Sequence, residues 1–248
     1  MQEMLNHAYR NAKKRLFLLD YDGTLVDLAP TPPEAVPTQQ MRTILTRLAG
    51  DPDNTVVIVT GRPHETLEEW LGDLPVSFAA EHGFLIREKG GKWESSISVD
   101  DSWKPEVRSL IQASIDKTPG ALLEEKDNAL AWHSRAAEDS DTADLEQGAL
   151  LALLTPVAER LGLRTINGNK VIEVQPKGVD KGVAAKHWLD RGGYDFVLAA
   201  GDDTTDEDLL KVIPEDGFTV KVREGESIAK IRAASPAVML ELLDSLPA

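Results

Sequence analysis

The stretch "FLLDYDGTLVD", Phe17 to Asp27, ends an apolar run in two carboxylates one residue apart, Asp20 and Asp22, followed at once by Gly23 and Thr24. Apolar residues without alternation read as a strand buried on both faces, which is the signature of a parallel sheet covered by helices. Four further runs share that character: "TVVIVT" (Thr55 to Thr60), "PVSFAAE" (Pro75 to Glu81), "YDFVLAAGD" (Tyr194 to Asp202) and "GFTVKV" (Gly217 to Val222). Between them apolar residues recur at helical spacing, as in Met41, Ile44, Leu45 and Leu48, with Pro37 before and Gly50 after. Leu67, Trp70 and Leu71 mark a second helix, Val183, Ala184, His187 and Trp188 a third, and Leu209, Leu210 and Val212 a fourth. Alternating strands and helices predict an α/β, doubly wound parallel sheet of Rossmann-like type with right-handed crossovers.

The middle of the chain breaks this rhythm. A helix carrying Val107, Leu110, Ile111 and Ile115 leads to "GALLEEKDNALAWHSR", a helix from about Asp141 to Leu161 follows, and then comes "LRTINGNKVIEVQP". Each quoted stretch reads as a β-hairpin, the second turning at Asn167-Gly168. Helix, hairpin, helix, hairpin is a self-contained α+β module. The expected division is therefore a core from residues 1–100 and 177–248 with a specificity cap inserted at 101–176, joined through "GGKWESS" and "QPKGVDKG".

Composition narrows the function. Acidic residues outnumber basic ones, 42 to 27, for a net charge of −15, which argues against nucleic acid or an anionic membrane as partner. There is no cysteine among the 248 residues, hence no disulfide framework and no thiolate metal site. The N-terminal "MQEMLNHAYRNAKKR" lacks the apolar core of a signal peptide, and no run reaches the ~18 apolar residues of a membrane span. A cytoplasmic, monomeric protein acting on a small molecule is expected.

In an open α/β sheet the ligand lies outside the carboxyl ends of the strands, and here those ends carry Asp20 and Asp22, Thr60, Glu81, and Asp202. Neighbouring carboxylates at a strand end need a counter-charge, and a hard cation such as Mg²⁺, held by a few carboxylates together with substrate phosphate, suits them. Asp20 and Asp202 would supply that set, with Asp206 one helical turn on reaching toward the ligand waters. A carboxylate about 4 Å from one negative charge is repelled by roughly 4 kcal/mol at an effective dielectric of 20. The cation, the Thr60 hydroxyl, the backbone N–H groups around Gly23 and Gly61, and the Lys181 ammonium would turn repulsion into attraction. Asp20 can then attack phosphorus as nucleophile, and Asp22 can protonate the leaving alkoxide and afterwards deprotonate water. Arg62 either binds the phosphate or orients an acidic neighbour. His82, before Gly83 on the same rim, is a substrate-binding candidate whose alternative is a structural histidine. His133 reads as a hydrogen-bonded structural histidine.

At these residues the sequence resembles the haloacid dehalogenase (HAD) superfamily of phosphohydrolases: "DYDGT", "VTGR", Lys181 and "GDDTTDED" match its four motifs in order. The resemblance implies an HAD-type core with a C2B-type cap, and a main-chain carbonyl of Asp22 as a further Mg²⁺ ligand. "AEHGFLIR", "EEKDNALAWHSR" and "NGNKVIEVQPKGVDKG" are similar to the trehalose-6-phosphate phosphatases, and the likeness spans Leu16 to Leu243. It implies that Glu124, Lys126 and Glu173 hold the disaccharide, and a carboxylate beside an ammonium is a good clamp for sugar hydroxyls. Ser134 stands where that family usually carries an aromatic residue, and pockets for related disaccharide phosphates differ by few contacts. The implied reaction is Mg²⁺-dependent hydrolysis of trehalose 6-phosphate through an aspartyl-phosphate. Alternatives are a phosphatase of sucrose 6-phosphate or of a glycosyl phosphoglycerate, a phosphotransferase, and a phospho-aspartate signalling module, the last of which needs neither Asp22 nor a cap.

Overall fold

In the computed structural model of the chain, which describes residues 2–96 and 100–247, all five apolar runs are strands. The chain opens with α1 (Gln2–Asn11), β1 (Arg15–Leu19), α2 (Gln39–Gly50), β2 (Asn54–Val59), α3 (His64–Leu71), β3 (Ser77–Ala80), β4 (Leu85–Arg87) and β5 (Glu94–Ser95). The middle holds α4 (Lys104–Ile115), β6 (Leu122–Glu125), β7 (Leu130–His133), α5 (Ser140–Arg160), β8 (Leu163–Gly168) and β9 (Val171–Pro176). The last segment is α6 (Lys181–Leu189), β10 (Phe196–Gly201), α7 (Asp206–Lys211), β11 (Phe218–Val222), β12 (Ile231–Ala233) and α8 (Pro236–Asp244). Two compact units result: Met1–Ala29, Ala35–Ser96 and Asp180–Ala248 form the larger, Pro30–Glu34 and Ile97–Val179 the smaller.

The larger unit is built on an eight-stranded sheet of order β12-β11-β10-β1-β2-β3-β4-β5. From β12 to β3 the strands run parallel, and β4 and β5 extend one edge antiparallel. From β1 the chain moves outward through β2 and β3, and after the smaller unit it returns on the other side of β1 through β10, β11 and β12. The topological switch point therefore falls beside β1, where doubly wound sheets bind ligands. Both faces of β1 are buried, as an unalternating run requires. Leu16 and Leu18 pack with Val57, Val59 and, from the helices, Ala184, Ala185 and Trp188. On the opposite face Phe17 meets the rings of Tyr9 and Phe196 at 6.2 and 5.6 Å between centroids.

The smaller unit is a four-stranded antiparallel sheet of order β6-β7-β9-β8. Leu130, Trp132, Ile172 and Val174 of its inner strands pack on Val107 and Ile111 of α4 and on Leu150 and Leu154 of α5. The second hairpin reverses two residues later than the Asn-Gly signal predicts. Gly168 pairs with Val171, so Asn167 and Gly168 belong to β8 and the turn is Asn169-Lys170, with Lys170 at φ 62°. Register decides this, because Ile172 and Val174 stand in line with Trp132 and Leu130 and must face the same core. The left-handed lysine is tethered by its ammonium to the Ser140 hydroxyl at 3.0 Å and to Asp144.

Candidate active site

Asp20 follows β1 and keeps its backbone on the ladder, its N–H donating to Ala200 O at 3.0 Å. Its side chain is 4% exposed. Lys181, the first residue of α6 after the Asp180 cap, is as deeply buried, and its ammonium donates to Asp20 Oδ1 and to Asp206 Oδ1, both at 2.6 Å. The other Asp206 oxygen accepts the backbone N–H groups of Asp202 and Asp203 at 3.0 and 2.9 Å, folding the loop after β10 around itself. Gly201 allows this approach, since a Cβ there would lie 2.2 Å from Asp206 Cβ. Gly23, at φ +77°, turns the chain beside the same group. A Cβ on it would fall 2.0 Å from Asp202 Oδ2, a steric reason for glycine independent of its backbone angle.

Ligand-capable oxygens of Asp20, Asp202 and Asp206 all lie within 4.8 Å of one another. Three carboxylates thus face one ammonium, and the imbalance shows in their protonation. Burial, then the neighbouring Asp206, raises the Asp20 carboxyl well above its usual range against the pull of Lys181. Burial and Asp206 likewise push Asp202 up to about 7. For Lys181 burial would lower the ammonium's affinity for its proton, but Asp20 and Asp206 outweigh it and raise it instead. Among the described residues no hydrogen-bond donor reaches the Asp202 carboxylate. An all-oxygen cluster with surplus negative charge and an unsatisfied carboxylate fits a hard divalent cation.

Asp22 is turned toward Arg62. The guanidinium grips it with both arms, Nε to Oδ2 at 2.8 Å and Nη2 to Oδ1 at 2.6 Å. Arg62 is itself fixed by aromatic faces, 4.7 Å from the Trp70 ring and 5.6 Å from that of Tyr21, while the Tyr21 hydroxyl donates to Ala35 O. Thr60 follows β2, buried, its hydroxyl accepting from Arg62 N at 3.2 Å. The next strand end is laced to it: Glu81 N–H donates to Arg62 O and His82 N–H to Thr60 O. Glu81, His82 and Gly83 are all left-handed, at φ 48°, 58° and 100°, an arrangement that costs roughly 1–3 kcal/mol per non-glycine residue and persists where the surroundings demand it. The His82 ring occupies the space beside Gly61, whose Cβ would meet Nε2 at 2.6 Å.

Glu124, Lys126 and Glu173 lie together in the smaller unit. Ala131 of β7 stands in register with Glu124 on one side and Glu173 on the other, so both acids share a sheet face. Lys126 sits just past the end of β6, in the turn, and donates to Glu173 Oε2 at 2.6 Å with both groups buried. His133 Nε2 is hydrogen-bonded to Glu124 Oε2 at 2.8 Å. Burial alone would raise the Glu124 carboxyl, but the Lys126 ammonium and the His133 ring outweigh it and hold it below the usual carboxylate range.

Two contributors escape the sequence reading. Lys221 of β11 is buried and donates to the carbonyls of Asp202 and Asp203 at 2.7 and 3.4 Å, pinning the acidic loop. Its signal was a lone base between valines in a buried strand. Trp70 reads simply as helix packing, yet it carries Arg62.

A family model described as trehalose-phosphatase matches residues 18–237. The chain is 40% identical over 247 residues to a bifunctional trehalose-6-phosphate synthase/phosphatase of Thermoproteus tenax, covering 98% of this chain and 33% of that protein. A trehalose-phosphatase of Schizosaccharomyces pombe is 37% identical over 220 residues, covering 87% of this chain and 26% of its own. The chain thus spans about a third or less of the length of the curated relatives it matches. Among solved structures, the trehalose-6-phosphate phosphatase C-terminal domain of C. albicans superposes with a TM-score of 0.92 at 31% identity, covering 98% of this chain and 94% of that one. A haloacid dehalogenase-like hydrolase from Bacteroides thetaiotaomicron shares the fold, with a TM-score of 0.65 at 15% identity. With its acidic cluster at the switch point of an HAD-type sheet and a family match over most of its length, the chain belongs to the trehalose-phosphatase family.

Proposed function

We propose that this chain hydrolyses trehalose 6-phosphate to trehalose and inorganic phosphate, acting as a cytoplasmic monomer with Mg²⁺ as its metal. The observation that carries the reading is the buried set of Asp20, Asp202, Asp206 and Lys181, found in a chain of this family. Asp20 and Asp202, with the Asp22 carbonyl, would hold the metal. When bound it would screen the charge of phosphate and carboxylate and orient a phosphate oxygen.

The chain's own groups do the rest. The ammonium of Lys181, the Thr60 hydroxyl and the backbone N–H groups of Asp22 and Gly61 receive the phosphate oxygens, with Arg62 at the border of that site; the Gly23 N–H, expected to join them, is instead donated to Val26 O at 2.8 Å. An Asp20 oxygen forms the bond to phosphorus as the bond to the sugar oxygen breaks, and Asp22 gives that oxygen its proton. Water then attacks the aspartyl-phosphate, its proton passes to Asp22, and phosphate leaves with Asp20 restored. In the smaller unit, which we assign as the specificity cap, Glu124, Lys126 and Glu173 bind the sugar hydroxyls; in the larger unit His82 is assigned to substrate binding.

A second reading rests on Ser134. It is buried, its hydroxyl without a partner among the described residues, and a serine where the family usually carries an aromatic side chain can reshape the cap packing for a different disaccharide phosphate. Phosphate release from trehalose 6-phosphate, sucrose 6-phosphate, glucose 6-phosphate and glucosyl phosphoglycerate, with Mg²⁺ and with chelator, tests both. A Mg²⁺-dependent kcat/KM highest for trehalose 6-phosphate is expected. A maximum at another sugar would transfer the assignment to Ser134's alternative, and release undiminished by chelator would remove the metal.

A further inference from the structure

Lys104 is the first residue of α4, where the helix dipole is positive and an ammonium is disfavoured. It is nevertheless 7% exposed. Nothing in the helix accounts for this, and its contacts do. The ammonium donates to the carbonyls of Lys126 at 2.9 Å and Asp127 at 2.7 Å, and Asp101 Oδ1, 3.3 Å away, pairs with its charge.

Lys126 and Asp127 open the turn between β6 and β7, which closes when Lys126 N–H donates to Ala129 O at 2.9 Å. Two of its carbonyls therefore converge on one cation fixed to α4, and α4 is anchored in the unit's core by Val107 and Ile111. The side chain that leaves this turn is the Lys126 ammonium, 2.6 Å from Glu173. A long side chain starting from a turn inherits the turn's freedom, and a clamp for sugar hydroxyls works only if that freedom is removed.

We propose that Lys104 is a positioning residue for sugar recognition: it fixes the β6–β7 turn so that the Lys126 ammonium is held against Glu173. The assignment rests on the proposed phosphatase reading and deepens it, because it makes a residue that does not itself touch the sugar a determinant of substrate choice.

The test compares Lys104→Met, Lys104→Gln, Lys126→Ala and the double variant Lys104→Met/Lys126→Ala, each in steady state with trehalose 6-phosphate and with p-nitrophenyl phosphate, which has no sugar. Lys104→Met is expected to raise KM for trehalose 6-phosphate by about fivefold or more, and to lower kcat/KM for it at least about fivefold further than for the aryl phosphate. Lys104→Gln, which keeps an N–H donor for the carbonyls, falls between Lys104→Met and the unaltered chain. In the Lys126→Ala background Lys104→Met adds less than about twofold, because the group it positions is gone. The proposal is overturned if the effect of Lys104→Met is equal in the two backgrounds, if both substrates lose kcat/KM in parallel in the Met and Gln variants, or if KM stays unchanged. An unaltered chain with no preference for trehalose 6-phosphate over the aryl phosphate overturns the substrate reading instead; a preference that Lys104→Met leaves intact overturns only the role of Lys104.

Discussion

Arg62 reaches both oxygens of Asp22 at once, and a guanidinium held this way fixes the plane of the carboxyl group. The sequence leaves two roles open for it, phosphate ligand or orienting group, because "VTGR" records that an arginine follows the strand but not which way its side chain turns. Kinetics can separate them. In the proposed reaction the trehalose alkoxide needs a proton as it leaves, whereas dinitrophenolate would not, and kcat/KM would report only the steps through transfer of phosphorus to Asp20. A lysine cannot make the fork, so Arg62→Lys should lower kcat/KM for the disaccharide phosphate by about 10²-fold, within the usual span of proton-transfer catalysis, and lower that for 2,4-dinitrophenyl phosphate much less. Equal losses on both substrates would instead mark Arg62 as a phosphate ligand. The motif aspartates and Lys181 were legible in sequence because their chemistry repels alternatives: two like charges at a buried strand end need a cation. Lys221 and Trp70 were not, because their importance lies in carbonyls and rings brought close by β11 and α3 rather than in their spacing.

Elements show the same division between what a pattern states and what only three-dimensional neighbours supply. β1, β2 and β10 announce themselves because strands buried on both faces carry an unalternating apolar run. Strands β4, β5 and β12, of three, two and three residues, are too short for any period and exist as extensions of a sheet already formed. The entry to the central strands is set by one exposed side chain: Asp195, just before β10, accepts the backbone N–H groups of Lys13 and Lys14 just before β1. Those two N–H groups hold its carboxyl below the usual carboxylate range. Asp195→Ala should therefore destabilise the chain by about 0.5–1 kcal/mol, the net worth of a hydrogen bond at an exposed site. That corresponds to roughly 1–4 °C in the thermal midpoint of a chain this size. Because the folded carboxyl is depressed, the advantage is complete above the unfolded value near about 4 and is lost as pH falls through the lower folded one. Midpoints of the two proteins should differ at pH 7 and converge toward pH 3; a difference that persists in acid would show that the ionised carboxylate is not its source.

At the scale of the molecule, the acidic cluster sets folding against function. The chain carries a net charge of −15, and it concentrates Asp20, Asp202 and Asp206 around a single ammonium in its interior. Without a cation this is a site of repulsion, as the raised Asp202 carboxyl records, so the rest of the fold must hold it together. Lys221 holds the Asp202 backbone carbonyl and Gly23 lies close against its carboxylate, leaving Asp202 little room to relax. Two consequences follow for the intact chain in a metal-free buffer at pH 8. Adding Mg²⁺ to about 100 times its dissociation constant should stabilise the folded state by about 2.7 kcal/mol, a rise of roughly 5–10 °C in the thermal midpoint. Asp202→Asn should raise the metal-free midpoint by about 2–4 °C, because relieving a buried surplus charge stabilises by about 1 kcal/mol or more, and should abolish the Mg²⁺-induced rise. A variant that still gains stability from Mg²⁺ would exclude Asp202 as a ligand. A variant that melts lower than the parent without metal would mean that the Asp202 carboxylate stabilises the fold, and that the cluster is a structural network rather than a strained site waiting for a cation.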